Sequence, residues 1–183
     1  MANVNAPFGL KPVRGVAGGP FNDGANPYIA SASDANIIRL GDPVTVTGDA
    51  HTDGTPIVTL STAGSGNAIT GVAVGFRPLG ATTWYNYRPA STLYEVLVND
   101  NPLTEYHIME DSVGGALAAA DVGLNAALVS GTAPVDGRSG WMLDSSTKAT
   151  TAALQVRIVG LAQIVHNAIG NYAVWRVRLN NVT

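Results

Sequence analysis

Leu154-Gln155-Val156-Arg157-Ile158-Val159-Gly160-Leu161 and Ala173-Val174-Trp175-Arg176-Val177-Arg178-Leu179 decide the fold class. In the first stretch Leu154, Val156, Ile158 and Gly160 share one parity, with Gln155 and Arg157 on the other. In the second, Ala173, Trp175, Val177 and Leu179 form an apolar set and Arg176 and Arg178 point the opposite way. Side chains on a strand alternate between faces, so this pattern predicts two half-buried antiparallel strands. The turn between them falls at His166–Asn171.

Upstream, the same signal recurs in shorter runs. Leu93, Glu95 and Leu97 alternate with Tyr94, Val96 and Val98, and Asn99-Asp100-Asn101-Pro102 is a strong turn. Thr104–Met109 follows, with Tyr106 and Ile108 on one face and Glu105 and His107 on the other. The two runs read as a hairpin or as neighbouring strands. Pro43–Thr47, Pro56–Leu60 and Ala68–Phe76 read as further strands, separated by Gly48-Asp49, Asp53-Gly54 and the Gly-rich Ala63–Asn67. Gly71 and Gly75 inside the third predict a bulge or a close backbone approach. Ala116–Ala120 is the one stretch of high helix propensity, long enough for a turn or two. Short strands with turns every ten residues or so predict an all-β antiparallel sandwich or barrel.

Residues 1–27 differ from the rest. Pro7, Pro12, Pro20 and Pro27 are interspersed with five glycines, which disfavours helix. Val4, Phe8, Leu10, Val13, Val16 and Phe21 punctuate the stretch, more apolar residues than a disordered tail carries. The expectation is an extended arm, 1–27, on a body, 28–183. The arm lies on its own body or on a neighbour's. The expectation is that it crosses to a neighbour and buries Phe8, Leu10, Val13 and Phe21 there, with Lys11 and Arg14 making it locally basic.

Composition narrows the function classes. Cysteine is absent, which removes disulfides and thiolate zinc sites. Charged residues make up 13% of the chain, about half the usual share, so little charge must be desolvated when its surface meets another protein. The net charge of −3 argues against nucleic acid as a partner. Residues 1–15 have neither a basic n-region nor a continuous apolar h-region, and no apolar run is long enough to span a membrane. Charge is nonetheless segregated. Glu95 to Asp136 holds seven acids and no Lys or Arg, whereas Ser145 to Thr183 holds four bases and no acid. These stretches are either solvated faces or complementary surfaces that set register between subunits.

Motifs for catalysis fail one by one. His51, His107 and His166 form no H-x-x-x-H pair. Asp49–Gly54 starts like an EF-hand loop, but His51 stands at its third position and Leu60 at the twelfth, where a glutamate must close the site; it reads as a β-turn. Gly137-Arg138-Ser139-Gly140 lacks the spacing of a nucleophile elbow. No catalytic, cofactor or metal site is expected. Trp84-Tyr85-Asn86-Tyr87-Arg88 is the most distinctive local feature. Aromatics with Arg supply most interface hot spots, so Trp84, Tyr85, Tyr87 and Arg88 are candidate anchors; a sugar-stacking platform and ordinary packing are the alternatives.

The opening Met1-Ala2-Asn3-Val4-Asn5-Ala6-Pro7-Phe8-Gly9-Leu10-Lys11-Pro12-Val13-Arg14 resembles the start of decoration (cement) proteins of tailed-phage capsids. Asp121–Asn125, Leu143–Thr147, the L-x-x-R-I-x-G-L run Leu154–Leu161 and Trp175–Asn180 resemble them too. The resemblance implies a jelly-roll-like body with an extended arm and no enzymatic activity. It implies binding to the outer surface of the expanded major capsid protein shell in the virion, after assembly in the host cytoplasm, as a homo-dimer or homo-trimer. A tail or fibre module, or a carbohydrate-binding one, fits the same residues.

Overall fold

A computed structural model describes residues 3–22, 24–80 and 83–183. Its strands are β1 (Lys11–Gly15), β2 (Asn26–Ala30), β3 (Ile38–Arg39), β4 (Pro43–Ala50), β5 (Pro56–Leu60), β6 (Gly71–Pro78) and β7 (Tyr87–Arg88). They continue as β8 (Tyr94–Asn99), β9 (Thr104–Met109), β10 (Asn125–Ala126), β11 (Leu128–Ser130), β12 (Trp141–Leu143), β13 (Val156–Leu161) and β14 (Val174–Leu179). Short 3-10 turns at Ala119–Asp121 and Ser145–Thr147 are the helical elements among the described residues, the first within the Ala-rich stretch. The chain is nearly all β, as the alternation predicts.

The strands divide into a five-stranded antiparallel sheet, β1-β9-β14-β13-β10, and a closed five-stranded barrel, β2-β5-β4-β6-β8. Two-stranded ribbons β11-β12 and β3-β7 complete the set. One barrel pair, β2 with β5, runs parallel.

The last two strands behave as their pattern requires. Ala173, Trp175, Val177 and Leu179 are buried, with Val156 and Ile158 beside them. Tyr106 and Ile108 of β9 complete the inner face of the sheet, and Leu60, Ile69 and Val72 of the barrel pack into the same core. Trp175 is the largest fully buried side chain, and its indole N–H donates to the buried Glu110 carboxylate at 3.2 Å. Burial raises the Glu110 pKa, against the backbone N–H of Leu117 and that indole, which pull it down. A second core fills the barrel with Ala30, Ile38, Val44, Val58, Ala73, Val96 and Val98.

Three sequence expectations need correcting or refining. The strands at Tyr94–Asn99 and Thr104–Met109 are not paired. Both edges of β8 are taken, by β2 and β6, so β9 must leave the barrel and join the sheet. Asn99 makes that crossover: its Oδ1 accepts from the Tyr106 hydroxyl at 3.0 Å and the Thr104 hydroxyl at 3.1 Å. Gln155 is not on a solvated face beside Arg157; it is fully buried just ahead of β13. Its Oε1 accepts from the Gly64 N–H at 3.1 Å and the Leu128 N–H at 3.0 Å. Its Nε2 donates to the carbonyls of Thr62 at 2.9 Å and Asn67 at 3.0 Å. The glycines in β6 do both things expected of them. The register shifts between Ala73 and Gly75, and a Cβ at Gly71 would lie 2.4 Å from the Asn99 carbonyl oxygen.

Two measurements probe this framework. Gln155→Leu removes the side-chain partner of four backbone groups, of which the Leu128 N–H is buried and the others lie nearer the surface, so it should cost about 2 kcal/mol or more in urea denaturation. The exposed Gln163→Leu should be near neutral. Asp42, buried against the Arg39 N–H at 2.7 Å, has its pKa raised by burial from 3.8 to about 6. A raised folded pKa means the native state holds the proton more tightly. The contribution is therefore complete below about pH 4 and is lost as pH rises through about 6. Asp42→Asn should exceed wild type in stability by roughly 3 kcal/mol at pH 7, with the gap closing below pH 4.

Candidate interaction surface

The stretch expected as an arm runs extended over its own body. At Phe8–Leu10 it threads against Leu40–Asp42, with the Leu10 N–H donating to the Gly41 carbonyl at 2.9 Å. The approach is so close that a Cβ on Gly9, at φ +71°, would sit 2.4 Å from Ser139 Cβ and 2.5 Å from the Gly41 oxygen. Leu10 is completely buried in the main core. This corrects its assignment as a contact to a neighbour, because its apolar surface is already covered within the chain. Lys11–Gly15 forms the edge strand of the sheet against β9, so the boundary expected at residue 27 does not coincide with a break in packing. Val13 sits at the register shift between Pro12 and Arg14, half-buried. Asn3 clips the β13–β14 loop, donating to the carbonyls of Ala168 at 2.8 Å and Asn171 at 3.0 Å. Phe8 and Phe21 stay half-buried and line an open groove of about 610 Å³ with Leu40 and Ile164, edged by Lys11, His107 and Arg138.

The aromatic cluster divides. Trp84 is 69% exposed and Tyr85 44%. Tyr85 rests against Tyr87 of β7, with ring centroids 5.2 Å apart and planes tilted by 40°. Their loop is tied down by Asn86, whose side-chain amide donates to the Asp136 carbonyl at 2.6 Å. Val135 and Leu40 are exposed beside these ties, and the Leu40 N–H bonds the Gly137 carbonyl. Arg88 does not belong to this anchor. Strand alternation sends it inward, where it is fully buried. Its guanidinium donates to the carbonyls of Thr92, Asn36 and Ser31 and lies 3.8 Å from Asp34. It is a structural pin that closes the Ser31–Asn36 and Pro89–Thr92 turns.

A third surface escaped sequence reading. Residues directly opposite in a sheet share a face, and the registers place cations in two rows across the outer face of the five-stranded sheet. One row is Asn125, Arg157, Arg178, Glu105 and Arg14. The next is Gly160, Arg176, His107 and Lys11. Glu105 is nearly buried, and its Oε2 lies 2.7 Å from Arg14 Nε and 2.9 Å from Arg176 Nε. Lys11, Arg157 and Arg178 have no ion-pair partner among the described residues. His107 is held below its ordinary pKa by burial first, then by Lys11, Arg176 and Arg14. The alternation of Arg157, Arg176 and Arg178 was the available signal; strand order and register were what turned it into a surface. The same contacts show that the acidic and basic stretches of the chain meet within it, through Arg176–Glu105 and through Lys148–Asp121 at 2.9 Å.

The remaining chemistry-bearing side chains are dispersed. His51 N–H donates to the Thr55 carbonyl in the β4–β5 turn, where Asp53 caps the Thr55 N–H. His166 lies in the β13–β14 loop at φ 65°. Ser139 is buried and its hydroxyl accepts from the Trp141 N–H at 3.0 Å. Among the described residues no three His, Asp or Glu side chains converge as metal ligands, and no helix is long and apolar enough to cross a membrane.

The division of the aromatic cluster is measurable. Arg88→Met strands three carbonyls in a buried pocket and should cost about 3 kcal/mol or more in chemical denaturation. Trp84→Ala should change stability by no more than about 0.5 kcal/mol. The reverse order would mean that Trp84, not Arg88, belongs to the packed structure.

Comparison with known proteins finds no relatives: no family model matches the chain, and no curated protein or solved structure matches it.

Proposed function

We propose that the chain is a non-enzymatic structural protein of a virion, a decoration protein that binds the outer surface of the major capsid protein shell and cements neighbouring capsomers. The observation that carries this reading is the exposed tip of Trp84 and Tyr85, held on a fixed loop beside Val135. Large aromatics left in water on a rigid scaffold lose little conformational freedom when a partner covers them, which makes them efficient anchors. Tip and groove adjoin through Leu40 and Arg138, and the groove reaches the cationic sheet face through Lys11 and His107. Adjoining surfaces of this kind suit a protein whose work is adhesion. Repetition over many shell sites then multiplies modest single contacts into firm attachment. The resemblance of the opening and closing segments to phage cement proteins points the same way.

The jelly-roll-like topology that accompanies that resemblance is part of the proposal; the strand order itself is a barrel beside a sheet. So are a homo-dimeric or homo-trimeric state and the placement on the outside of the head. The second reading, a carbohydrate-binding or tail- or fibre-associated module, draws on the same tip. An exposed Trp and Tyr with Asn86 nearby make a platform on which a sugar ring can stack.

Sedimentation of the purified protein with expanded shells lacking it separates these readings. Saturation at a fixed copy ratio with a gain in heat resistance is the expected result, and Trp84→Ala with Tyr85→Ala should weaken binding by about tenfold or more. Failure to bind shells, together with glycan binding that depends on Trp84, would replace the cement reading with the carbohydrate one.

A further inference from the structure

We infer that the outer face of the five-stranded sheet, carrying Lys11, Arg14, His107, Arg157, Arg176 and Arg178, is a docking face for a carboxylate-rich protein surface. Five of the chain's ten Lys and Arg residues lie on this one face of a protein whose net charge is −3. The concentration is not balanced from within. One carboxylate, Glu105, serves two arginines, and Arg157 stands directly opposite Arg178 across β13 and β14.

Like charges directly opposite on a sheet destabilise it. The fold carries that penalty at Arg157–Arg178: Glu105, opposite Arg178 on its other side, is engaged by Arg14 and Arg176, and neither Arg157 nor Arg178 has an ion-pair partner among the described residues. An incoming carboxylate between the two guanidinium groups would remove the repulsion and add charge-assisted hydrogen bonds. Glu105 does different work. Buried between Arg14 and Arg176, it fixes where those guanidinium groups stand before a partner arrives, which lowers the ordering cost of binding. His107 lies among these cations: burial depresses its pKa first, and Lys11, Arg176 and Arg14 add to the shift.

The dimensions favour protein over nucleic acid. From Arg157 on β13 to Arg14 on β1 is three strand spacings, about 14 Å at the usual separation between strands. Such a patch meets a few carboxylates of a folded surface. Nucleic acid gains its affinity from many phosphates along a longer track, and the remainder of this acidic chain would repel it. For the identity of the partner, and only for that, the inference rests on the reading above: there, the acidic surface belongs to the shell.

The test uses the full chain, two matched double variants and three binding targets. Arg157→Gln with Arg178→Gln removes the unpaired cations; Arg77→Gln with Lys148→Gln removes equal charge elsewhere. Targets are expanded shells, a short oligoglutamate peptide, and duplex DNA of matched charge. Wild type should bind shells and oligoglutamate with affinity that falls steeply as salt rises, and should prefer both to DNA. The Arg157/Arg178 variant should lose about tenfold or more on both, while the control variant stays within about twofold and all melt alike. Shell binding undiminished in the Arg157/Arg178 variant overturns the docking face and leaves the cement reading standing. Oligoglutamate binding through these arginines without shell binding does the opposite. DNA bound more tightly than oligoglutamate, or no binding to either shells or oligoglutamate, overturns the inference.

Discussion

The molecule depends on the four hydrogen bonds of Gln155. Its amide reaches Thr62, Gly64 and Asn67 in the connection between two barrel strands, and Leu128 at the start of the β11-β12 ribbon. A five-stranded sheet and a closed barrel share no backbone ladder here, only isolated backbone bonds such as those of Ile69 with Asn181 and Thr183. Something must hold their relative position, and apolar packing alone tolerates sliding. A buried amide with every donor and acceptor engaged does not, because any shift orphans polar groups in a medium that cannot solvate them. Asn99 plays the matching part where the chain itself passes from barrel to sheet, by fastening the first residues of β9 to the last of β8.

That rigidity is what the surface features draw on. The Trp84 loop is tied to the Asp136 loop, the early segment is locked against Gly41, and the arginines of the sheet face stand on strands with neighbours on both sides or on the short edge strand β1. None of these surfaces has to be assembled on contact. Binding then need not supply the ordering free energy that a flexible arm would require, which is a more economical design than the crossing arm that the Pro- and Gly-rich opening suggested.

Strands were readable wherever one face meets water and the other meets the core. Trp175 and Val177 alternate with Arg176 and Arg178 because the outer face of that sheet is uncovered. Pairing was not readable, because alternation fixes a strand's faces but not its neighbours; hence Tyr94–Asn99 and Thr104–Met109 fall in different sheets. Gln155 misled because a polar side chain in an alternating run looks solvated unless the loops that satisfy it are known. Arg88 misled for the same reason: three carbonyls from two turns were needed to accept its guanidinium. Of the surface, Trp84 and Tyr85 were visible locally, whereas the cationic face required four strands to be brought into register. Leu10 looked free because nothing in a Pro-rich, Gly-rich stretch says which side of it will be covered.

The register of Arg157 against Arg178 has a consequence for symmetry. In a twofold contact each patch meets its own copy, so two such faces brought together would set guanidinium groups against guanidinium groups. Among the described residues no counter-charge on the face is available to relieve them, since Glu105 is already engaged by Arg14 and Arg176. Isologous pairing through this sheet is therefore disfavoured by its own electrostatics. A twofold pairing of identical copies must use other surfaces, which leaves the sheet face to a chemically different, acidic surface.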